Sequence, residues 1–166
     1  MATITQKITP SLWFDTQAEE AARFYVSIFR DAHIGSISHY GPGAQMPEGT
    51  VLTVEFTLEG QTFTALNGGP QFTFSPAISF VVHCTTQDEV DHYWDRLSEG
   101  GDPQAQMCGW LSDKYGVSWQ IVPDALAEYM TDPDPAKAGR TMQAMLQMTK
   151  LDIEALRRAH DGEEGS

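Results

Sequence analysis

The stretch Thr16-Gln17-Ala18-Glu19 returns 70 residues later as Thr86-Gln87-Asp88-Glu89, each time between a predicted strand and a predicted helix. A second match lies further along, where Gly60-Gln61-Thr62-Phe63-Thr64 corresponds to Gly116-Val117-Ser118-Trp119-Gln120 at an offset of 56. The offset shrinks because the second copy lacks the turn-rich loop at residues 41–49. A chance match of four residues is the alternative, but the shared order of elements favours an internal repeat of one supersecondary unit.

Hydrophobic periodicity predicts a strand, a helix and three further strands in each copy. Alternation is clearest at residues 50–58, which predicts a half-buried strand. Asp15 or Thr16 is the predicted cap of the first helix, with Glu19 as the capping-box partner of Thr16, and Thr85 or Thr86 is the predicted cap of the second helix. The other predicted strands cover residues 7–14, 33–40, 61–66, 77–83, 104–110, 111–115 and 117–122, and the helices cover 17–29 and 86–98.

Each predicted copy holds one helix and four strands, so the helix covers only one face of its sheet. Pro10 lies in the first strand, where the missing N–H of proline predicts a local irregularity or an edge position. The uncovered sheet faces have to be buried against something, so we expect the two curved sheets to pair and enclose a pocket. Residues from Asp124 onward are predicted to be helical, and Asp134-Pro135 begins one of these helices.

Several motifs give the sequence a family resemblance. They run through nearly the whole chain and are Phe24-Tyr25, Ala65-Leu66-Asn67-Gly68-Gly69, Cys108-Gly109-Trp110, residues 113–120 and residues 142–148. Together with the duplicated βαβββ unit, they resemble the vicinal-oxygen-chelate superfamily of glyoxalase I, extradiol dioxygenases and bleomycin-resistance-like proteins. More narrowly, they resemble its PhnB-like branch, which is often labelled 3-demethylubiquinone-9 3-methyltransferase. The resemblance implies an α+β fold in which two tandem βαβββ modules form paired curved mixed sheets around a pocket, followed by C-terminal helices.

The resemblance also implies how the modules lie along the chain, as one glyoxalase-like domain over residues 1–160. Module one covers residues 7–67, module two covers 77–122, and the C-terminal helices cover 124–160. The tail at residues 161–166 is expected to be disordered, as short polar termini commonly are.

The composition argues against several classes of partner. The chain has 166 residues, a net charge of −13 and an isoelectric point near 4.5, so an acidic surface repels nucleic-acid phosphates and anionic membranes. No apolar run reaches the roughly 18 residues of a membrane span, and no signal peptide is visible. Two cysteines, Cys84 and Cys108, are too few for a disulfide scaffold. We therefore expect a cytoplasmic protein, and its methionine-rich C-terminal helical segment predicts a homodimer.

Metal-dependent members of the superfamily carry His or Glu on the first and last strands of each half, facing the pocket. The equivalent positions here are occupied by Thr9 with Ser11 on the same face, Thr64, Ala77 or Ser79, and Gln120. Hydroxyls and a carboxamide bring neither negative charge nor a strong donor nitrogen, so they bind zinc or iron poorly. We therefore expect no bound metal and no cofactor. An unusual metal pair formed by His39 and His83 is the alternative.

Strand alternation predicts which residues bind a ligand, because polar side chains on an enclosed face need partners. The candidate ligand-binding residues are Thr9, Trp13, Thr64, Asn67, Ser79, Cys108, Trp110 and Gln120. Water-filled packing is the alternative for the hydroxyls, turn chemistry for Asn67, and a plain buried thiol for Cys108. The pattern assigns no catalytic residue.

These features favour a small-molecule-binding protein without the usual metal site. One alternative is a metal-dependent lyase, isomerase or dioxygenase of the same superfamily. Another is the methyltransferase that the branch label suggests, although no Gly-x-Gly motif follows a strand to bind S-adenosylmethionine. A third is an interaction protein built on the C-terminal helices. Whether the protein is an enzyme stays open at this point.

Overall fold

A computed structural model describes residues 6–163 of the chain. These residues form two compact units, with the boundary between Phe74 and Ser75. Unit one contains the first predicted module, and unit two contains the second module together with the C-terminal helices. The grouping of both into one domain over residues 1–160, and the pairing of their sheets around a pocket, stay predictions.

Unit one is a four-stranded mixed sheet with one helix, in the βαβββ order that the repeat predicts. Its elements are β1 Ser11–Phe14, α1 Ala18–Val26, β2 Ala32–His39, β3 Val51–Leu58 and β4 Gln61–Asn67. β1 pairs in parallel with β4, while β4, β3 and β2 are antiparallel neighbours, so the strand order is β1-β4-β3-β2.

The core of unit one lies between the sheet and α1. Val54 and Phe56 of β3 are buried, whereas Glu55 between them is exposed, which confirms the predicted alternation of this strand. The Phe56 ring stacks with Tyr25 of α1 and with Phe63 of β4, at centroid distances of 5.9 and 5.2 Å. Burial of these rings removes a large apolar area from water and fixes which face of the sheet the helix covers.

β1 is shorter than the predicted strand because Pro10 interrupts the ladder. The pairing begins at Ser11, and Ile8 is 83% exposed. Pro10 still accepts a hydrogen bond of 2.9 Å from the N–H of Thr64, but it has no N–H of its own to continue the pattern. β1 is also an edge strand of its sheet, as the proline suggested.

α1 begins without the predicted capping box. The residue at the cap position is Gln17, with no capping hydrogen bond from its side chain, so the assignment of Asp15 or Thr16 as the cap is wrong. The N–H of Ala18 donates instead to Oδ1 of Asn67, at 2.8 Å. A side chain at the end of β4 therefore satisfies one of the N–H groups that a helix N-terminus leaves unpaired.

Unit two repeats this order with one strand fewer. Its elements are β5 Ser79–Cys84, α2 Gln87–Ser98, a 3-10 turn at Pro103–Ala105, β6 Trp110–Ser112 and β7 Ser118–Pro123. The sheet order is β5-β7-β6, with β5 parallel to β7 and β6 antiparallel to it. α2 begins as predicted, since Oγ1 of Thr86 accepts a hydrogen bond of 3.2 Å from the N–H of Glu89. Its apolar stripe is buried and consists of Val90, Tyr93, Trp94 and Leu97.

The strand predicted over residues 104–110 does not form. Asp102 caps a 3-10 turn that begins at Pro103, so the chain coils where an extended strand was expected. Cys108 and Gly109 have φ values of 52° and 86°, in the left-handed region. An extended strand contains no such residues, and the sheet of unit two consequently has three strands.

Three helices follow β7: α3 Asp124–Met130, α4 Pro135–Met145 and α5 Ile153–Asp161. The N–H groups of Cys108 and Gly109 donate to the carbonyls of Met148 and Thr149, both at 2.8 Å. The amide of Gln87 on α2 also bonds to backbone groups just before and at the start of α5. The helices are thus tied to the second module, and residues 164–166 of the expected tail lie outside the described residues.

No helix within residues 6–163 is both long enough and apolar enough to cross a membrane.

Candidate functional site

Three of the predicted site residues come together on the face of the unit-two sheet opposite α2. Nε2 of Gln120 on β7 donates a hydrogen bond of 2.9 Å to Oγ of Ser79 on β5. Trp110 on β6 is the ladder partner of Gln120, so the two side chains are cross-strand neighbours. We call Ser79, Trp110 and Gln120 the Gln120 cluster.

The Gln120 cluster combines half-exposed polar groups with an aromatic ring. Its members are half-exposed, whereas Trp119 and Ile121, which flank Gln120 along β7, are buried on the α2 side. The bond to Ser79 uses one N–H of the Gln120 amide, which has a second N–H and a carbonyl oxygen for other partners. Trp110 adds a flat apolar surface and an indole N–H. The cluster can therefore bind a small molecule that has both polar groups and a flat or apolar part.

The corresponding face of the unit-one sheet carries hydroxyl groups. Ser11 on β1 pairs with Thr64 on β4, and Thr62 follows on the same side of β4. The predicted site residue Thr9 lies before β1 and is exposed, so Ser11 is the residue beside Thr64. This face can donate and accept hydrogen bonds, but hydroxyls give it no charge at neutral pH.

The ladder registers align the two faces residue by residue. Ser11 pairs with Thr64 in unit one, and Val81 pairs with Gln120 in unit two, which reproduces the sequence offsets of 70 and 56. Across the next strand, Glu55 pairs with Thr64 as Trp110 pairs with Gln120. Sequence reasoning missed Glu55, because the repeat offset of 56 aligns it with Leu111, and only the ladder registers show that Trp110 is its equivalent.

Glu55 brings a carboxylate to the hydroxyl face of unit one. The carboxylate of Glu55 lies against Gly35 of the neighbouring strand β2. A Cβ at Gly35 would lie 2.9 Å from Oε1 of Glu55, so a larger residue there would crowd the carboxylate. Glu55 therefore gives this face a single strong acceptor for N–H or O–H donors.

Trp13 is tied to the turn that follows β4. Its Nε1 donates a hydrogen bond of 2.9 Å to the carbonyl of Gly69, and its ring meets Phe72 edge to face at 4.9 Å. A Cβ at Gly68 would lie 2.3 Å from the indole, so only glycine fits beneath the ring. The polar end of Trp13 therefore serves this turn, and only its half-exposed ring surface is left for a ligand.

Asn67 has a structural role that neither the binding nor the turn interpretation anticipated. It is 2% exposed, and its Oδ1 caps α1 through the N–H of Ala18. Its Nδ2 donates to the carbonyl of Val51 on β3, at 3.0 Å. Because both ends of the amide bond to the unit's own backbone, Asn67 positions α1 and β3 at the end of the sheet.

The two cysteines lie in different environments. Cys84 is fully buried, and desolvation, helped by the negative charges of Glu89 and Asp124, raises the pKa of its thiol to about 12. It therefore stays a neutral thiol at physiological pH. Cys108 lies with Gly109 in the tight turn before β6 and is half-buried, so it is close in sequence to Trp110 but outside the sheet ladder.

The histidines of the alternative metal pair lie at exposed strand positions, His39 at the end of β2 and His83 near the end of β5. Within the described residues, no group of three His, Cys, Asp or Glu side chains is placed to hold a metal ion. The usual ligand positions are occupied by residues with hydroxyl or carboxamide side chains, as described above.

Comparison with known proteins shows to which family the chain belongs. A sequence model described as 3-demethylubiquinone-9 3-methyltransferase matches residues 6–122. A solved structure of a PhnB protein from Bacillus cereus, provisionally described by the same activity, is 42% identical with a TM-score of 0.62, and the match covers 71% of this chain and 99% of that chain. This chain belongs to the 3-demethylubiquinone-9 3-methyltransferase family. Its fold is that of the PhnB-like branch of the vicinal-oxygen-chelate superfamily, as the sequence motifs implied.

More distant structures share the fold alone. Protein PA1353 from Pseudomonas aeruginosa is 17% identical with a TM-score of 0.59, over 72% of this chain and 98% of that one. The fosfomycin resistance protein FosX from Mesorhizobium loti is 15% identical with a TM-score of 0.52, over 78% of this chain and all of that one. No curated protein matches the sequence significantly. The family match ends at residue 122, so α3, α4 and α5 lie outside the matched part of the chain.

Proposed function

We propose that this member of the family binds a small polar molecule, with the Gln120 cluster as its main contact and no metal held by the usual ligand positions. The observation that carries this proposal is the hydrogen bond between Gln120 and Ser79 beside Trp110. A polar pair next to a half-exposed indole is the combination that small-molecule sites use for orientation and affinity. The ligand would have a hydrogen-bonding group for the amide and a flat or apolar part for the indole.

The metal-free part of the proposal is supported by residue chemistry. Ser11, Thr64, Ser79 and Gln120 stand at or beside the four usual ligand positions, and none carries a carboxylate, imidazole or thiolate. Neutral oxygen donors of this kind are weak ligands for zinc and iron.

The first test is the metal content of the untagged protein, purified from cells grown with added zinc, iron, manganese and nickel. We expect no stoichiometric metal by elemental analysis. Near-stoichiometric metal would overturn the metal-free proposal and favour the alternative, a metal-dependent lyase, isomerase or dioxygenase. Glu55, His39 and His83 would then be the first ligands to replace.

The second test is a thermal-shift screen with small polar metabolites. We expect ligands that stabilise the protein to lose this effect in Gln120→Leu and Trp110→Ala. The matched control is Gln61→Leu, which makes the same replacement at an exposed position of β4. Ligands that stabilise all three variants as well as the wild type would exclude the Gln120 cluster as the site.

The second candidate function is the methyl transfer named in the family description. Titration calorimetry with S-adenosylmethionine tests it directly, since a methyltransferase has to bind the methyl donor. Saturable binding would favour this candidate over a binding protein. The expected homodimer and the cytoplasmic location stay predictions.

A further inference from the structure

Trp110 follows a tight turn that connects it back to Met107. The N–H of Trp110 donates to the carbonyl of Met107 at 2.8 Å, and the N–H of Met107 donates to the carbonyl of Trp110 at 3.1 Å. Cys108 and Gly109 are the two central residues, and their positive φ values of 52° and 86° are those of a type I′ turn. Such turns favour Asn-Gly or Gly-Gly, because most other side chains are unfavourable in the left-handed region. With Cys108 in the first position, the turn has less local support than the preferred sequences give.

The N–H groups at the tip of this turn bond to a segment from the end of unit two. Those of Cys108 and Gly109 donate to the carbonyls of Met148 and Thr149, both at 2.8 Å. Residues 148–151 run between α4 and α5, and we call them the C-terminal strap. These two bonds lie outside the sheet ladder, so the strap gives the turn a support that its own sequence does not provide.

Leu151 adds a packing contact between the strap and the turn. Its side chain is fully buried. A Cβ at Gly109 would lie 3.0 Å from Cδ1 of Leu151, so the leucine lies directly against the turn and leaves room there only for a glycine. The carbonyl of Gly109 also accepts from the N–H of Ile121 at 2.8 Å, next to Gln120 on β7. The strap therefore contacts the turn where the turn joins the strands of the Gln120 cluster.

The strap is itself fixed to α2. Nε2 of Gln87 donates to the carbonyl of Leu151 at 3.1 Å, and Oε1 of Gln87 accepts from the N–H of Ile153 at 2.8 Å. Nζ of Lys150 pairs with a carboxylate oxygen of Asp91 on the same helix, at 3.1 Å. Because α2 packs through its buried apolar stripe, the strap has a fixed position from which it can hold the turn.

We propose that the C-terminal strap positions Trp110 for ligand binding. The strap holds Cys108 in its left-handed conformation, the turn fixes the start of β6, and β6 places Trp110 opposite Gln120. Leu151 is the main positioning residue, because it combines full burial with direct contact to the turn. This role rests on the proposed function, since Trp110 belongs to the Gln120 cluster, but the effect of the strap on Trp110 can be measured without a ligand.

The indole signals of the ¹⁵N-labelled full chain test the positioning role. The chain has four tryptophans, so the Nε1–H resonance of Trp110 is identified by its loss in Trp110→Phe. We expect Leu151→Ala to shift or broaden this resonance under native conditions, because the turn loses its buried contact. The matched control is Leu156→Ala, which removes the same atoms from a fully buried position on α5 and should leave the Trp110 resonance in place. An unchanged resonance in folded Leu151→Ala, or an equal change in both variants, would overturn the role.

Two further variants keep the test decisive if Leu151→Ala does not fold. Gln87→Ala removes both bonds from α2 to the strap and should also shift the Trp110 resonance. Cys108→Asn, added to Gln87→Ala, should return the resonance towards its wild-type position, because Asn-Gly favours the type I′ turn by itself. General destabilisation would not be repaired by one residue of the turn. A Trp110 resonance that stays unchanged in Gln87→Ala, or that Cys108→Asn does not restore, would therefore contradict the role.

Benzamide separates the role of the strap from the existence of the ligand site. Its carboxamide can pair with the amide of Gln120, and its flat ring can stack on Trp110. We expect benzamide to shift the Trp110 resonance of the wild type and of Leu156→Ala, and to bind Leu151→Ala several-fold more weakly. Equal affinity for all three proteins would overturn the role of the strap in binding. A wild-type Trp110 resonance that benzamide leaves unmoved would count against the proposed ligand site, while the measurement without a ligand still decides whether the strap positions Trp110.

Discussion

The two modules start their helices from the same tetrapeptide pattern, but they use different caps. In unit two, Thr86 caps α2 with its own hydroxyl. In unit one, Thr16 does not cap α1, because the carboxamide of Asn67 reaches the helix from the end of β4. The residue that corresponds to Asn67 at the end of β7 is Pro123, which has no side-chain acceptor. A local capping signal is therefore used only where no residue distant in sequence supplies a better acceptor.

The modules also differ in the turn between their last two strands. In unit one, Glu59 and Gly60 have φ values of 48° and 84° and close the β3–β4 hairpin in two residues. In unit two, the longer β6–β7 turn is organised by Asp113, which is 2% exposed. One carboxylate oxygen of Asp113 accepts the N–H groups of residues 115 and 117, and the other accepts the indole N–H of Trp119. The first turn depends on backbone conformation, and the second depends on one side chain.

The largest expected effect comes from removing that side chain. Asp113→Ala leaves three donors of the turn without their acceptor, and hydrogen bonds to a charged group contribute about 1.5–3 kcal/mol each. We expect a loss of about 3–5 kcal/mol in the free energy of unfolding of unit two. Urea unfolding followed by tryptophan fluorescence measures it, since Trp94, Trp110 and Trp119 lie in this unit.

Asp113→Asn is the matched control for that experiment. It keeps one oxygen for the two backbone N–H groups and loses only the acceptor for Trp119, so its effect should be clearly smaller. Equal losses in both variants would show that the negative charge, rather than the number of accepted bonds, stabilises the turn.

The next largest effect tests the two caps against each other. Asn67→Ala removes the cap of α1 and the bond to Val51, for an expected loss of about 2–3 kcal/mol. Thr86→Ala removes only a cap and should cost about 1 kcal/mol. Thr16→Ala should cost less than about 0.5 kcal/mol, because Thr16 is exposed and caps nothing. Denaturant unfolding of the three variants gives this order, and equal effects of Thr16→Ala and Thr86→Ala would contradict the comparison.

The smallest expected effect concerns the contacts of His160, which attach α5 within unit two. His160 on α5 bonds through Nδ1 to Asp161 at 3.0 Å and through Nε2 to Asp132 at 2.8 Å, and its ring stacks on Tyr129 of α3. The hydrogen bonds to Asp161 and Asp132 raise the pKa of His160 above its ordinary value of 6.5. Arg157 also pairs with Asp161, so the imidazolium shares that carboxylate with a second cation.

The raised pKa makes the attachment of α5 dependent on pH. The stabilisation by charged His160 is fully present below pH 6.5 and is lost as pH rises through the higher pKa of the folded state. We therefore expect amide hydrogen exchange in α5 to accelerate over this rise beyond the intrinsic increase with pH. In His160→Gln the additional acceleration should be absent. If it persists in that variant, another group is responsible.

Much of the fold could be predicted from local patterns. Alternation located β3 and its buried side, because burial against one helix selects every second residue, as at Val54 and Phe56. The same principle placed Ser79 and Gln120 on one side of the unit-two sheet, where they bond to each other. Patterns of this kind succeed wherever one covered face determines which residues are apolar.

The errors arose where single residues changed the backbone. Cys108 adopts a left-handed conformation although it is not a glycine, and with Gly109 it converts a predicted strand into a turn. No local pattern shows that the amide of Asn67 bonds to Ala18 and Val51, and its binding role stays a prediction. Glu55 was overlooked because its equivalence to Trp110 depends on the ladder register of each sheet and not on the repeat offset.

The sequence by itself determined the duplication, the order of elements and the apolar side of each sheet, because periodicity and repeated motifs are properties of neighbouring residues. Only the tertiary structure decided that Asn67 caps α1 and that Gln120 bonds to Ser79. These contacts join residues that are far apart in the chain, so their strength depends on how strands align in space. Local composition records which groups are present, whereas the folded backbone determines which of them meet.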